Sequence, residues 1–347
     1  MANLVQETAL TQHTTRDLLL QVRDLTVTYQ TRNGSLNAIE HLNFDMYRGE
    51  VLGLVGESGS GKSTLGKALL RMILPPGSIS AGQILFDGKN ILQFSAEQMR
   101  DIRGRQISMI FQDPMTSLNP VQRLDDHIIE AIRVHEPQVS RQEALKRAQE
   151  LVSRLGIEPR RLNDYPHQLS GGMRQRIMIG LALALKAKLI IADEPTTSLD
   201  VIVEAQFLDL LRELKDEYGL TILLISHNIG IVAELADRVA VMYAGQIVEV
   251  SDSDQVFHNP LHPYTDGLMK SIPNISLEAE HQTLYRMEGS PPNLINPPSG
   301  CRFNPRCPHM MPEICPIKVP PLTLIPTQPS SEHQAACWLH IPHDKPE

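Results

Sequence analysis

One stretch constrains this chain more than any other: Gly56-Glu57-Ser58-Gly59-Ser60-Gly61-Lys62-Ser63. It matches G-x-x-x-x-G-K-[ST], follows the short apolar run Val51–Val55 and precedes Lys62–Met72, which has helical character. Strand, glycine loop and helix in that order build a phosphate cradle. The glycines let backbone N–H groups curl around phosphate oxygens, and the helix N-terminus adds favourable partial charge. Lys62 is placed to reach the β- and γ-phosphates, the Ser63 hydroxyl to meet Mg²⁺, and Thr64 to complete the loop's nucleotide contacts. A glycine-rich turn that binds nothing would not require all three contexts together.

The second half of such a site is Leu189-Ile190-Ile191-Ala192-Asp193-Glu194. A buried strand there delivers Asp193 to the sheet edge, where a carboxylate holds the Mg²⁺ shell, and Glu194 next to it can polarise the attacking water. Alone, two acids after an apolar run can simply mark a strand end. With a phosphate loop upstream, the catalytic reading is the stronger one.

The rest of the chain reads as an α/β core with additions. Leu18–Thr28 and Leu36–Met46 read as strands broken near Asn33-Gly34, a turn signal. Gly82–Phe86, Gln106–Phe111, Leu189–Ala192, Thr221–Ile225, Arg238–Met242 and Gln246–Val250 read as further strands, and Val201–Glu217 as a helix. Residues 113–187 change character: Asp126–Val134, Ser140–Leu155 and Gly172–Leu185 have helical spacing. Ser140, with Glu143 three residues on, predicts a capping box. Residues 291–330 hold 12 of the 25 prolines, which predicts a loop-rich appendage.

Composition sets the outer limits. The net charge of −8 argues against a chain whose main task is gripping a nucleic-acid backbone. A membrane-spanning helix needs about 20 mostly apolar residues, and the longest apolar stretches, such as Leu181–Leu185, are far shorter. Met1–Asp17 is polar and lacks the pattern of a secretory signal. The expected location is therefore the cytoplasm, with any membrane task needing a partner.

Several motifs together resemble those of ABC ATPases. Leu169-Ser170-Gly171-Gly172-Met173-Arg174-Gln175 resembles the family's signature motif. Physically it is a second Ser/Gly turn opening a helix, and one nucleotide has no need of two such ends from one chain. The resemblance implies that two cassettes pack head to tail, so that Ser170, Gly171 and Gly172 cap the nucleotide on the partner's phosphate loop. It implies an adenine-stacking role for Tyr29, which could equally be an ordinary strand tyrosine. It makes Gln112 the Q-loop glutamine, sensing Mg²⁺, and Ser198-Leu199-Asp200 the D-loop that crosses the dimer interface. His227, in Ile225-Ser226-His227-Asn228, becomes the switch histidine at the γ-phosphate. Asn228 departs from the aspartate often found after that histidine.

Phe111-Gln112-Asp113-Pro114-Met115-Thr116-Ser117-Leu118-Asn119-Pro120 and Asn259-Pro260-Leu261-His262-Pro263-Tyr264-Thr265 look like the oligopeptide, dipeptide and nickel importer branch. So does the C-terminal extension centred on Gly300–Pro308. The organisation this implies is a P-loop NTPase of α/β class. A flexible N-terminal segment (1–17) precedes a cassette over 18–270, with an antiparallel β subdomain and a helical subdomain at about 113–187. A loop-rich, cysteine-containing extension over 271–347 completes it.

The four cysteines, Cys301, Cys307, Cys315 and Cys337, all lie in that extension, separated by 5, 7 and 21 residues. None forms a C-x-x-C pair, so the usual zinc-ribbon spacing is absent. Four thiolates can close around Zn²⁺ or a [4Fe–4S] cluster, or remain unligated; the resemblance favours the cluster, in a structural role.

The function implied is an ATP-hydrolysing motor of an importer of peptides or a related solute. Its partners would be a second cassette, two transmembrane permease subunits and an external solute-binding protein, and it would sit peripherally on the cytoplasmic side of the inner membrane. Glu194, His227, Gln112 and Lys62 would act in catalysis, with Ser63, Gln112 and Asp193 around Mg²⁺. Two other readings are a soluble ABC ATPase acting on nucleic acid or ribosomes, and a non-hydrolysing regulatory nucleotide binder. The short span between Gln112 and the signature motif, the single cassette, and intact Glu194 and His227 weigh against them.

Overall fold

The structure, a computed structural model, describes residues 17–113, 117–197, 199–271, 287–326 and 332–342. Outside these lie Ser198 of the expected D-loop, Pro114–Thr116 of the importer-like motif, and all of the expected N-terminal segment but Asp17.

In chain order, β1 (Leu18–Thr31) and β2 (Gly34–Tyr47) form a long hairpin, and β3 (Val51–Val55) leads through the phosphate loop into α1 (Lys62–Leu69). Next come β4 (Gly77–Phe86), β5 (Lys89–Asn90), α2 (Ala96–Ile102) and β6 (Ile107–Ile110). A helical insertion carries α3 (Leu124–His135), α4 (Arg141–Arg154) and α5 (Gly171–Leu183). The chain returns through β7 (Leu189–Asp193), α6 (Val201–Tyr218), β8 (Thr221–Ile225), α7 (Ile229–Leu235), β9 (Arg238–Tyr243) and β10 (Gln246–Asp252). The helices α8 (Ser253–His258) and α9 (Pro263–Lys270) follow, and the extension adds β11 (Thr323–Leu324) and β12 (Gln334–Ala335).

Among the described residues the strands form two sheets. One is antiparallel, in the order β2-β1-β4-β5; the other runs β11-β12-β10-β9-β3-β8-β7-β6. The stretch β9-β3-β8-β7-β6 is parallel, and its members are buried along their whole length. Parallel strands covered on both faces need near-continuous apolar sequence, and VLGLV and TILLI supply it. Their alternation sorts two cores. Val51, Val55, Ile222 and Leu224 face the helical insertion, α6 and α7; Leu52, Leu54, Leu223 and Ile225 face α1 and the antiparallel sheet.

The proline-rich extension is loop-rich yet stitched to this core. β12 pairs with β10 at Glu249↔Ala335 and Val250↔Gln334, covering a sheet edge that would otherwise be open. Beneath that pairing Glu249, fully buried, accepts hydrogen bonds from the Leu261 and His262 N–H groups at 2.7 and 2.8 Å. The imidazole of His333, also fully buried, lies 2.7 Å from the same carboxylate. Ser140 caps α4 by accepting from the Glu143 N–H at 3.2 Å, but the expected capping box is only half made, because the Glu143 carboxylate pairs with Arg147 instead.

Candidate active site

The phosphate loop is shaped by its first and last glycines. Gly56 has φ 152° and Gly61 φ 108°, backbone that side chains rarely adopt. A Cβ at Gly56 would lie 2.1 Å from the Met242 carbonyl oxygen, and one at Gly61 2.5 Å from that of Ala38. Both positions therefore require glycine, and Gly61 turns the chain directly into α1. Between them Ser58 and Gly59 are exposed and Ser60 is buried, its carbonyl accepting from the Gly245 N–H at 2.9 Å.

Lys62 is buried and folds back over its own loop, Nζ donating to the Gly56 and Glu57 carbonyls at 2.8 and 3.0 Å. Burial lowers its pKa, and the nearby Glu194, Asp193 and Glu57 carboxylates pull it back up. Ser63 Oγ donates to Asp193 Oδ1 at 2.9 Å, joining the loop to the end of β7. Burial raises the Asp193 pKa against the opposing hydrogen bond from Ser63. A cation at this pair would relieve that penalty, since opposite charge favours the ionised carboxylate. Thr64 follows in the first turn of α1, half-buried.

Glu194 is the hub. It adopts φ 46°, uncommon for a residue with a side chain, and its N–H is held by the Ile225 carbonyl on β8 at 2.8 Å. A single oxygen, Oε2, accepts from Gln112 Nε2 at 2.7 Å and Thr197 Oγ1 at 3.2 Å, with His227 Nδ1 at 3.3 Å. The structure thus brings Gln112, Asp193, Glu194 and His227 together beside Lys62 and Ser63. Thr197 escaped the sequence reading; its only signal is its place three residues after Glu194.

The remaining expected residues sit farther out. Ser170 caps α5, its hydroxyl accepting from the Met173 N–H at 3.3 Å. A Cβ on Gly172 would lie 2.6 Å from Val203 Cγ1, so the signature turn and the start of α6 are in close contact. Asp200 caps α6 by accepting from the Val203 N–H at 3.0 Å, a structural task beside any role at an interface. Tyr29 is half-buried on β1, opposite Gly77 of β4, where the missing Cβ leaves room for its ring. Gln175, buried on α5, donates to the Pro195 carbonyl beside Glu194 and ties the signature helix to the catalytic turn.

The four cysteines surround one small cavity, shared with His262, Phe303 and Trp338. Burial pushes the Cys301 thiol up to about 11 and Cys337 up to about 12, and raises Cys307 as well. Each sulfur also receives a backbone N–H: Phe303 and Asn304 donate to Cys301, His309 to Cys307 and Leu339 to Cys337. The Met311 N–H reaches Cys315 Sγ at 3.4 Å. Among the described residues no three His, Cys, Asp or Glu side chains converge as they would around a single metal ion.

A phosphate loop joined to an Asp-Glu strand end on one α/β sheet, with Gln112 and His227 meeting on the Glu194 carboxylate, is the arrangement of an ABC ATPase. Residues 39–197 match the ABC transporter family, and residues 248–315 match the oligopeptide/dipeptide transporter C-terminal region. The oligopeptide transport ATP-binding protein OppD of Bacillus subtilis is 45% identical over 327 residues, 93% of this chain and 89% of its own. OppD of Escherichia coli is 46% identical over 308 residues, covering 88% and 90%. A dimeric structure of the bacterial ABC transporter cassette MJ0796 superposes with a TM-score of 0.61 at 27% identity, over 68% of this chain and 99% of that one. The chain belongs to the ATP-binding subunits of oligopeptide/dipeptide ABC transporters, and its activity is that of a transporter ATPase.

Proposed function

We propose that this chain drives uptake of oligopeptides or dipeptides, and that Glu194 is the group that activates the attacking water. The observation that carries the catalytic assignment is the gathering of Gln112, Thr197 and His227 on Glu194 Oε2, beside the Ser63–Asp193 pair. Lys62 and the N–H groups of Gly56–Thr64 hold the phosphates, and Tyr29 stacks on the base. Ser63, Asp193 and Gln112 would hold Mg²⁺, which would supply neutralisation of the charge on the phosphates. Gln112 and His227, both at Glu194 Oε2, orient the water and the γ-phosphate. Ser170, Gly171, Gly172 and Asp200 act across a pair of cassettes.

The peptide assignment is supported by the relatives' names and by the matched C-terminal region. The importer reading requires permease subunits in the membrane, an external solute-binding protein and a second cassette, identical or paralogous. Among the described residues no helix is long and apolar enough to cross a membrane, consistent with a peripheral place on the cytoplasmic face. The chain divides functionally into a cassette over 18–270, with its helical part at about 113–187, and an extension over 271–347. The deciding experiment is Glu194→Gln in the assembled transporter. MgATP binding should persist while turnover falls by at least about 10²-fold, the lower end of what a positioned general base contributes. Turnover near the wild-type rate would remove Glu194 from that role.

For the extension, the reading is a [4Fe–4S] cluster on Cys301, Cys307, Cys315 and Cys337. Four thiols around one cavity, Cys315 and Cys337 buried and Cys301 and Cys307 half-buried, with backbone N–H donors nearby, suit sulfurs that carry charge when ligated. The cluster would cross-link loops that prolines already stiffen. Anaerobically purified chain should contain about four irons, and Cys337→Ser should lose them. Stoichiometric zinc, or no metal at all, would rule the cluster out.

A further inference from the structure

The second residue of the phosphate loop, Glu57, brings a negative charge into a loop whose task is to hold a polyphosphate. Left alone, that charge would oppose the ligand. In the structure both of its oxygens are engaged by one guanidinium: Arg306 Nη1 donates to Oε2 at 2.8 Å and Nη2 to Oε1 at 3.0 Å. This parallel fork is the strongest form of the Arg–carboxylate contact. Arg306 comes from the extension, in the turn between Cys301 and Cys307, and only 6% of its side chain is exposed.

Arg306 is itself held on several sides. Its Nε donates to the Glu288 carbonyl at 3.0 Å, Nη1 also reaches Tyr243 Oη at 3.3 Å, and the guanidinium lies 5.8 and 5.9 Å from the Tyr243 and Phe303 ring centres. The backbone of Glu57 is tethered from the same side. Its N–H donates to Tyr264 Oη at 2.8 Å, and the Tyr264 ring packs on Tyr243 and Phe303 with centroids 4.5 and 5.5 Å apart. Two of the three segments that resemble the importer branch, Asn259–Thr265 and Gly300–Pro308, therefore converge on one residue of the phosphate loop.

We propose that Arg306 is a positioning residue for ATP, cancelling the Glu57 carboxylate and fixing where it sits so that the loop receives phosphate. It acts through Glu57 and touches no reacting atom. The contrasting possibility is that the pair merely docks the extension. The two differ in what happens when both partners are removed. If Arg306 serves the nucleotide by neutralising Glu57, then Arg306→Met exposes an unpaired carboxylate in the cradle, and removing that carboxylate as well restores binding. If Arg306 only docks the extension, the second substitution restores nothing.

The test is equilibrium titration of the full chain with MgATP, with the unfolding midpoint of the nucleotide-free protein followed in parallel. Arg306→Met should weaken MgATP binding about tenfold, equivalent to about 1.4 kcal/mol. Arg306→Lys, which keeps the charge but not the fork, should stay within about threefold of wild type. The double variant Glu57→Gln/Arg306→Met should recover to within about threefold, even where its unfolding midpoint remains lowered. Wild-type affinity in Arg306→Met, or a double variant as weak as Arg306→Met, overturns the proposal. The inference rests on the phosphate-site assignment, and the failures are distinguishable: a wild-type chain that does not bind MgATP would defeat the site itself.

Discussion

Glu194 shows how one residue can be over-determined. Its left-handed backbone, with φ 46°, is a strain held in place by the hydrogen bond from its N–H to Ile225 and by three groups on one carboxylate oxygen. Asn228 shows the opposite, a departure from the family pattern that costs nothing visible. Its Oδ1 accepts from the Gly230 N–H at 3.0 Å and caps α7, a task asparagine and aspartate perform equally well. His262 carries a prediction. It is buried, and Nδ1 accepts from the Tyr264 N–H at 3.0 Å, so that nitrogen must be unprotonated in the folded chain. Burial takes its pKa from 6.5 down to about 4, with Glu249 opposing. An unfolded chain therefore binds a proton near pH 6.5 that the folded chain refuses until about pH 4. The stability this gives is complete above pH 6.5 and is lost as pH falls toward 4, at up to about 1.4 kcal/mol per pH unit. His262→Asn keeps a capping acceptor and deletes the titration. Its urea-unfolding stability should fall less steeply over that range, by one proton's worth, and a slope equal to wild type would disprove the assignment.

At the scale of elements, legibility followed how local the determining interactions are. Val51–Val55 and Thr221–Ile225 were readable to the residue, because a short, almost wholly apolar run bounded by turns fits a buried strand here. The phosphate loop was readable because its glycine positions are dictated by backbone geometry. The end of α1 was not. The sequence pattern runs to Met72, yet the helix stops at Leu69, where Arg71 turns to φ 50° and the Met72 N–H returns to the Lys67 carbonyl. No glycine announces that stop. β4 begins at Gly77 rather than Gly82 because Gly77–Ala81 pairs with β1 despite its weak alternation. Least legible was the extension. Its prolines correctly forbid long elements, but the β10–β12 pairing, the Glu249–His333 contact and the Arg306–Glu57 fork join residues more than 80 positions apart. Nothing in local sequence encodes such partners.

At the scale of the whole molecule, the proposed pairing of two cassettes gives the signature turn an outward task. The hub around Glu194 is complete within this chain, but the signature turn is occupied on its own side with capping α5 and packing on α6. Immediately after Asp200, Val201 and Ile202 are 81% and 72% exposed, an uncommon pair of large apolar side chains at the start of a helix. Burying such a side chain contributes about 1.5–3 kcal/mol, enough across a two-fold pairing to matter when nucleotide bridges the rest. MJ0796, which shares this fold, was solved as a dimer. The expected outcome is that Glu194→Gln with MgATP sediments as a two-cassette species, either with itself or with the other cassette of its transporter. Adding Val201→Asp and Ile202→Asp should return it to a single cassette while MgATP affinity stays within about twofold, because neither residue touches the phosphate loop. A Glu194→Gln chain that remains single in both mixtures would make the signature turn a cap and nothing more. Pairing that survives the two aspartates would place the interface elsewhere than the start of α6.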